Sequence, residues 1–392
     1  MRILFLCEGN AESWESWSGI SKSIVDHLRR AGHTVHVADV DLDGCPRLTA
    51  AAATLSLDRR QWATRYHLAA VPFMLRSRRA RRHIVAWHGQ VDAIVQVGST
   101  FEPYGRGAIP YFLCSDSNIR VAQQGESTGY SDAAALSTKD VEAIASRERE
   151  VYHGAAALFP LSERLRRSFI NDFGIPAGRV RAIYAGPNLP VENVPAAAFA
   201  RSPNGPPTIL FVGRQFHRKG GDVLVESFRR IRNQLPTARL VIAGLPIGAV
   251  DAPGVTCLGD LDKNTSEGWA ALSAAYANAD VFALPTRFEP FGIAFVEAMH
   301  FGLPCIGPRA WAVPEIIADG ETGFTVAVDD VEALADRLLR LLNDRCLGRA
   351  MGEAARLRAR NLFTWPRVVE RMLEVMTPLV ESEGRHTCSM AS

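Results

Sequence analysis

The chain has 392 residues, of which 47% are hydrophobic and 22% charged, and it carries a formal net charge of +2 at pH 7. This balance excludes a chain too polar to bury a core, and the near-neutral charge provides no overall field that would favour nucleic acid as a partner. The length indicates two domains of ordinary size.

The seven cysteines are scattered without any C-x-x-C pair, which excludes a zinc knuckle and a dithiol redox motif. Such a set is typical of reduced thiols in a cytosolic protein. The sequence begins directly with the strand-like "MRILFLC", has no apolar leader, and contains no stretch suited to span a bilayer. We therefore expect a cytoplasmic protein, for which any membrane association would be peripheral, at the inner membrane surface.

Short apolar runs alternate with amphipathic stretches in the first half of the chain. The runs lack polar alternation, as expected of parallel strands that are buried on both faces. Between the first two runs, Ser18–Ala31 has the apolar spacing of one helical face. Six strands are predicted here: Arg2–Cys7, Thr34–Ala38, Ala93–Val97, Tyr111–Cys114, Ala157–Pro160 and Val180–Tyr184.

A second strand–helix series follows a Pro/Gly-rich segment, Ser202–Pro207, which we interpret as an interdomain linker. Its predicted strands are Thr208–Val212, Arg239–Ala243, Val255–Leu258, Val281–Pro285, Pro304–Gly307 and Phe324–Val326. The sequence therefore predicts two doubly wound α/β domains, residues 1–200 and 207–363, whose strand ends face a central cleft. A last helix is predicted from Trp365 to about Glu381, followed by a disordered tail.

Two glutamates, Glu289 and Glu297, bracket a Phe-Gly turn in "PTRFEPFGIAFVEAM", directly after a predicted strand. Pro290 disfavours a helical Glu289, so the helix begins after Gly292, and its first amides suit an anion. Glu289 then lies before the helix and Glu297 just over one turn inside it, which does not suit a paired acid and base. We interpret them as acceptors for the hydroxyl groups of one negatively charged ligand, such as a nucleotide sugar. The alternative is two solvated acids near a helix end.

The segment "FVGRQFHRKGGDVLVESF", Phe211–Phe228, follows the first strand of the second predicted domain. Its loop holds Arg214 and Lys219, and two cations before a helix can neutralise a diphosphate. Gly220 and Gly221 permit a close backbone approach at the helix start. No Walker signature is present, so the loop is not a P-loop. A solvated basic turn is the alternative interpretation.

Together, "GRQFHRKGGD" and "PTRFEPFGIAFVEAM" resemble the signatures of the retaining glycosyltransferases of family 4 (glycosyl transferases group 1), G-R-x(4)-K-G and E-x(7)-E. The resemblance continues through "GLPCIGPRAWAVPEIIADGETGFTV" and "FTWPRVVERML" and covers the second predicted domain. It implies the GT-B fold, in which the C-terminal helix, here within residues 364–392, crosses back to the N-terminal domain.

The resemblance also implies a nucleotide-diphosphate sugar, UDP- or GDP-linked, as co-substrate and a transfer in which the acceptor attacks on the face that the diphosphate leaves. The leaving phosphate then accepts the acceptor's proton, and protein cations stabilise the departing charge, so neither a metal nor another cofactor is expected. The D-x-D at Asp39–Asp41 is too short a match to assign a metal. The implied donor-site residues are Arg214 and Lys219 for the diphosphate, Glu297 for the ribose, and Glu289 with the backbone at Phe291, Gly292 and Ile293 for the sugar.

The loop after the first strand, "CEGNAESWESWSGISKS", is longer than its glycine-rich counterpart in the family and carries Trp14 and Trp17. The two tryptophans suit either stacking on a sugar or anchoring the core. Gly19 stands where a helix begins, so we expect it to contact donor phosphate. Asp116, after "YFLCS", occupies the place of a histidine in many members, and we expect it to accept a hydroxyl of the transferred sugar during catalysis.

The acceptor side is assigned to Glu102 and Tyr104, although the sequence does not name the acceptor, which can be a glycan, a lipid-linked molecule or a small molecule. Between Asp58 and His83 lie eight arginines against one acid. The segment Arg59–Arg82 is either a solvated helical face or a basic amphipathic surface for anionic lipid, beside the apolar "HLAAVPFML".

Three functions remain open at this point. The first is a retaining glycosyltransferase that uses a nucleotide sugar. The second is a nucleotide-sugar epimerase of the same fold, which needs acid and base residues on either side of a sugar carbon. The third is a scaffold that kept the donor pocket but lost transfer.

Overall fold

The computed structural model describes residues 1–14, 16–103, 109–189 and 205–390, with residues 383–390 as backbone only. It divides into two compact units, Met1–Tyr184 with Trp365–Ser392, and Ala185–Thr364. Tyr104 and the first half of the predicted linker, residues 202–204, lie outside the described residues.

The first unit is built on a parallel sheet of five strands in the order β2-β1-β3-β4-β5. Apart from the edge strand β2, which is partly exposed, the strands are almost wholly buried, which explains their continuous apolar sequences. The strands are β1 (Arg2–Cys7), β2 (Thr34–Asp39), β3 (Ala93–Val97), β4 (Tyr111–Ser115) and β5 (Ala157–Pro160). The helices are α1 (Ile20–Arg30), α2 (Gly44–Ala53), α3 (Arg59–Leu68), α4 (Ala70–Ala86), α5 (Ile119–Gln124), α6 (Thr138–Gly154), α7 (Glu163–Asn171) and α14 (Trp365–Met390).

The second unit contains a parallel sheet of six strands in the order β11-β10-β9-β6-β7-β8. The strands are β6 (Thr208–Val212), β7 (Arg239–Ala243), β8 (Val255–Cys257), β9 (Val281–Ala283), β10 (Cys305–Pro308) and β11 (Gly323–Val326). The helices are α8 (Gly221–Gln234), α9 (Ser266–Asn278), α10 (Ile293–His300), α11 (Val313–Ile316), α12 (Val331–Asn343) and α13 (Arg345–Leu362).

One predicted strand is wrong. Val180–Tyr184 forms only an isolated bridge, between its first residue and Leu158 of β5. Two of its backbone N–H groups donate to carbonyls of β5, at 3.0 and 2.9 Å. Tyr184 then takes a left-handed φ of 61°, which ends the extended conformation before a regular ladder develops. The other predicted strands are present, with ends that differ by at most two residues.

The C-terminal helix α14 is part of the first unit, although the chain reaches it from the second. Arg371 donates to the carbonyl of Ile183 at 3.0 Å, and Glu374 pairs with Arg181 at 3.1 Å. The predicted end near Glu381 is wrong, because the helix continues to Met390 through part of the predicted disordered tail. The added sequence, "SEGRHTCSM", contains no proline that would break a helix.

Each sheet has a topological switch point, where the strand order reverses direction. In the first unit the chain builds outward from β1 to β2 and then returns to add β3 on the other side of β1. In the second unit it builds from β6 to β8 and then adds β9 beside β6. The carboxyl ends of the two central strands at such a point leave a crevice in which ligands of open α/β sheets bind.

Candidate functional site

The two sequence motifs of the second unit meet at its switch point. One loop, residues 213–220, follows β6, and the other, residues 284–292, follows the neighbouring strand β9. Because both loops leave the same edge of the sheet, side chains that are far apart in sequence face each other there. The structure thereby brings together Lys219 and Glu289, two of the predicted donor-site residues.

Lys219 and Glu289 form a buried ion pair, in which the ammonium group donates to the Oε2 atom of the carboxylate. Their side chains are only 15% and 8% exposed. Burial lowers the pKa of Lys219, and the adjacent Glu289 carboxylate opposes that shift. Because the Lys219 ammonium group is already partly desolvated, an incoming phosphate can compete with Glu289 for it.

Two glycines set the backbone of these loops. Gly220, the N-cap residue of α8, has φ 71°, and a Cβ atom there would lie 2.0 Å from the carbonyl oxygen of Pro285. Gly292 has φ 108° and precedes α10, and a Cβ atom there would lie 2.8 Å from the ring of Phe295. Both positions therefore require glycine for conformation and for space. The predicted start of α10 after Gly292 is confirmed.

A network of hydrogen bonds joins the two loops independently of the Lys219–Glu289 pair. The guanidinium group of Arg287 contacts both carboxylate oxygens of Asp222 at 2.8 Å. Arg218 donates to the carbonyl of Phe288 at 2.7 Å, and the wholly buried Thr286 donates to that same oxygen at 3.1 Å. The Asp222 carboxylate raises the pKa of Arg287, which stays charged. The loops are thus fixed before any ligand arrives, as preorganised binding requires.

Glu297 occupies a separate position inside α10, where its side chain is 2% exposed. Lys263 donates to Oε1 at 2.8 Å, and the hydroxyl of Tyr276 donates to Oε2 at 2.9 Å. Burial, followed by the charge of Glu297, raises the pKa of Tyr276 well above its usual value, so this hydroxyl remains a donor. Glu297, the residue predicted to bind the ribose, therefore already accepts hydrogen bonds from two protein donors, one of them the partly exposed Lys263.

The remaining predicted residues of this unit differ in exposure. Arg214 has a side chain that is 66% exposed, and its Nε atom donates to Asp260 at 2.8 Å. Phe291 is buried at 3%, with its ring edge-on to Phe363. Ile293 is the first residue of α10. The Phe291 side chain is thus packed inside this unit, and the predicted sugar contact through the backbone at Phe291, Gly292 and Ile293 stays a prediction.

The switch point of the first unit holds another buried ion pair, which sequence reasoning missed. Glu8 follows β1, and its Oε2 atom lies 2.8 Å from Nε of Arg76, a side chain of α4 that is 1% exposed. The direction of that N–H does not meet hydrogen-bond geometry, so the contact is an ion pair. Thr100, after β3, donates to the other carboxylate oxygen. Burial by itself raises the pKa of Glu8, but His67, Arg76 and Thr100 outweigh it and lower the pKa.

The long loop before α1 contains a strained turn. Trp17 and Ser18 have φ values of 50° and 53°, and Gly19 follows with φ 82° as the N-cap of α1. The indole ring of Trp17 packs on Gly98, where a Cβ atom would lie 2.4 Å from it. Trp17 is therefore an internal contact of this unit, whereas Trp14 lies 5.6 Å from the ammonium group of Lys22.

Other predicted positions of the first unit lie at the same sheet edge. Asp116 follows β4 directly and is partly exposed. Glu102 lies 3.6 Å from Arg81 and its backbone N–H donates to Ser77. Asp39 accepts hydrogen bonds from the backbone of Gly9 and Asp41 at 2.8 and 2.7 Å. The roles predicted for Gly19, Asp116 and Glu102 stay predictions.

The residues that sequence reasoning missed, Lys263, Tyr276, Glu8 and Arg76, lack a local motif. Glu8 and Lys263 follow β1 and β8, so position after a strand was the available signal. Tyr276 and Arg76 lie within helices, and nothing in the surrounding sequence distinguishes them from residues of an ordinary helical face.

Comparison with known proteins shows what parts of this chain are similar to. Residues 197–358 match the model of the family described as Glycosyl transferases group 1. The sulfoquinovosyl transferase SQD2 of Arabidopsis thaliana is 34% identical over 163 residues, 38% of this chain and 29% of that protein. The GDP-mannose-dependent alpha-(1-6)-phosphatidylinositol monomannoside mannosyltransferase of Mycolicibacterium smegmatis is 31% identical over 182 residues, 44% of this chain and 48% of that protein. The chain thus spans less than half the length of these curated relatives.

Solved structures resemble the chain over nearly its whole length. Sucrose-phosphate synthase from Thermosynechococcus elongatus superposes with a TM-score of 0.71 at 20% identity and covers 97% of this chain and 99% of that one. HepE of Anabaena, in complex with UDP and glucose, has a TM-score of 0.64 at 15% identity, with 96% and 99% covered. At these identities the likeness shows the fold, which is the predicted α/β GT-B fold with two Rossmann-like domains.

Proposed function

We propose that this protein is a retaining glycosyltransferase of family 4, which moves a sugar from a UDP- or GDP-sugar to an acceptor hydroxyl. The observation that carries the proposal is the Lys219–Glu289 pair at the switch point of the second unit, next to the start of α10. A cation, a carboxylate and the amides at the start of a helix at one point match a ligand with both phosphate and hydroxyl groups. The family match of residues 197–358 supports the same ligand class.

On binding, the donor diphosphate would replace the carboxylates that now pair with Lys219 and Arg214. Its oxygens take the ammonium group of Lys219 and the guanidinium group of Arg214, together with amides at the start of α10. The freed Glu289 carboxylate then accepts hydroxyl groups of the sugar, and Glu297 accepts a ribose hydroxyl in competition with Lys263. The loops themselves need no rearrangement, because the Arg287–Asp222 bonds hold them.

In the transfer step the bond between the anomeric carbon and the leaving phosphate oxygen breaks, while the acceptor oxygen bonds to the same face of that carbon. The acceptor's proton passes to the leaving phosphate, so the step needs no protein base. Lys219 and Arg214 stabilise the negative charge that develops on the diphosphate, which is the usual dominant contribution in such reactions. We propose that this stabilisation requires no metal ion. Asp116 is proposed to orient the transferred sugar.

The test is binding followed by turnover. Thermal unfolding is measured with UDP, GDP and ADP, one at a time, at about a hundred times the dissociation constant, where a ligand stabilises by ~2.7 kcal/mol. We expect one nucleotide to raise the Tm by roughly 5–10 °C. The Lys219→Met variant should lose the shift, whereas Lys139→Met, at an exposed lysine of α6, should keep it.

Turnover then separates the candidate functions. Release of nucleoside diphosphate with retention at the anomeric carbon, measured by NMR with an acceptor panel and EDTA present, is expected. Interconversion of the nucleotide sugar without an acceptor would instead assign an epimerase. Tight donor binding without transfer to any acceptor class would instead support the non-catalytic scaffold. No Tm shift with any nucleotide would contradict the proposed site.

A further inference from the structure

Exposed apolar side chains are concentrated on one part of the first unit. Among the described residues, most of the large hydrophobic side chains that are exposed belong to α2, α3, α4 and the turn between α2 and α3. The turn residues Leu55 and Leu57 are 69% and 105% exposed. The exposed apolar side chains of this segment are Leu48, Leu55, Leu57, Trp62, Met74 and Val85. Together with the four arginines named in the next paragraph, they form what we call the α2–α4 surface.

The arginines of the same segment fall into two groups. Arg76 is buried with Glu8, and Arg79 pairs with Asp43 at 2.8 Å. By contrast, four exposed arginines have neither an ion pair nor a side-chain hydrogen bond with any residue in the described part of the chain: Arg47, Arg59, Arg78 and Arg82. The acid at the start of α3, Asp58, is used as an N-cap for backbone amides. These four side chains therefore present their positive charge to solvent without an ion-pair partner among the described residues.

The spacing on α4 places charge and apolar groups on one stripe. Met74, Arg78, Arg82 and Val85 are separated by four, four and three residues, which is the repeat of a single helical face. All four are exposed. On the opposite side of the helix, Arg76, Ala80 and Ile84 are buried. The helix is thus amphipathic toward the core, yet it also presents alternating apolar and cationic groups to the outside.

We infer that the α2–α4 surface binds the anionic face of a lipid bilayer. Unpaired arginines complement acidic headgroups, and the interspersed Leu, Met and Trp side chains reach the boundary of the acyl chains. A nucleic acid would use the same arginines but would gain nothing from the protruding leucines. None of the described helices has an apolar stretch that would let it cross a membrane. The inference does not depend on the proposed function.

The test is sedimentation of the full chain with vesicles of phosphatidylcholine alone and of equal parts phosphatidylcholine and phosphatidylglycerol. We expect binding to the anionic vesicles at low salt and a steep loss at high salt. The variant Arg59→Ala/Arg78→Ala/Arg82→Ala should lower the partition coefficient on the order of a hundredfold, at roughly fivefold for each charge. Leu55→Ser/Leu57→Ser/Met74→Ser should lower it on the order of tenfold or more without changing the salt dependence.

A matched control lies in the second unit. The variant Leu357→Ser/Arg360→Ala removes an exposed leucine and an exposed arginine of α13 and should bind vesicles as the wild type does. Equal binding of the wild type to neutral vesicles, or unchanged binding of the triple-arginine variant, would overturn the inference. Self-association in sedimentation velocity that the serine variant abolishes, without vesicle binding, would assign this surface to a second copy of the chain.

Discussion

The two switch points of this molecule use ion pairs in opposite ways. In the second unit both partners, Lys219 and Glu289, come from loops that leave neighbouring strands, and the loop that carries Glu289 leads into the start of α10. In the first unit the carboxylate of Glu8 forms an ion pair with Arg76, which belongs to helix α4 and is almost fully buried. A pair made of loop residues can open for a ligand, whereas a pair anchored in a packed helix mainly fixes the loop that carries it. Equivalent topology therefore does not imply equivalent chemistry.

The largest effect is expected at the pair in the second unit. Lys219→Met leaves the buried Glu289 carboxylate without its cation, so we expect a loss of about 3–5 kcal/mol in the free energy of unfolding. Nucleotide binding should be lost as well. The double variant Lys219→Met/Glu289→Leu should regain most of the stability, measured by urea unfolding, but none of the nucleotide binding. Nucleotide binding that survives in the double variant would show that the Lys219–Glu289 pair does not bind the donor, and that the two switch points do not differ in this way.

The corresponding change in the first unit should separate stability from binding. Arg76→Met removes the cation beside Glu8, and we expect a loss of about 3 kcal/mol, since Thr100 and His67 still contact the carboxylate. Binding of UDP or GDP alone should stay within a factor of two. Arg78→Met, on the exposed face of the same helix, is the control and should change stability by less than about 0.5 kcal/mol. Isothermal titration calorimetry and urea unfolding measure the two quantities.

The first switch point should also respond to pH near neutrality. Glu148 on α6 accepts from Ser99, which follows β3, and from the N–H of Ile119, and burial raises its pKa to about 7. Because the folded pKa exceeds the unfolded one, this stabilisation is full below about pH 4.5 and is lost as pH rises through about 7. Between pH 5 and 7.5 we expect a loss of about 2 kcal/mol, measured by urea unfolding. Glu148→Gln should abolish this slope, whereas the exposed Glu150→Gln should retain it.

The smallest effect concerns the strained loop. Gly98 and Gly174 both have positive φ, but only at Gly98 would a Cβ atom meet another group, the indole ring of Trp17. Gly98→Ala should therefore destabilise by about 1–2 kcal/mol more than Gly174→Ala. In a Trp17→Ala background the difference should disappear. An unchanged difference would show that Trp17 does not hold the loop, and would leave its ring free to stack on a sugar.

Sequence reasoning reached the strands and the second switch point because both depend on local patterns. Buried parallel strands appear as unbroken apolar runs, and the loops around Lys219 and Glu289 carry glycines and charges at fixed spacing. The Glu8–Arg76 and Lys263–Glu297 pairs join segments that are distant along the chain, and their partners follow from helix packing and strand order rather than from neighbouring residues. The strand predicted at Val180–Tyr184 was wrong because its mostly apolar sequence suits a strand, whereas the left-handed conformation of Tyr184, which the sequence does not reveal, ends the extended segment.

The contact between Gly220 and the carbonyl of Pro285 has a consequence for protein engineering. Since a Cβ atom there would lie 2.0 Å from that oxygen, the two loops touch backbone to backbone and have no side chain between them that could adjust. Exchanging one loop with that of a relative would alter the surface on which the other rests. A chimera aimed at a different sugar donor should therefore transplant residues 213–222 and 284–292 as one piece.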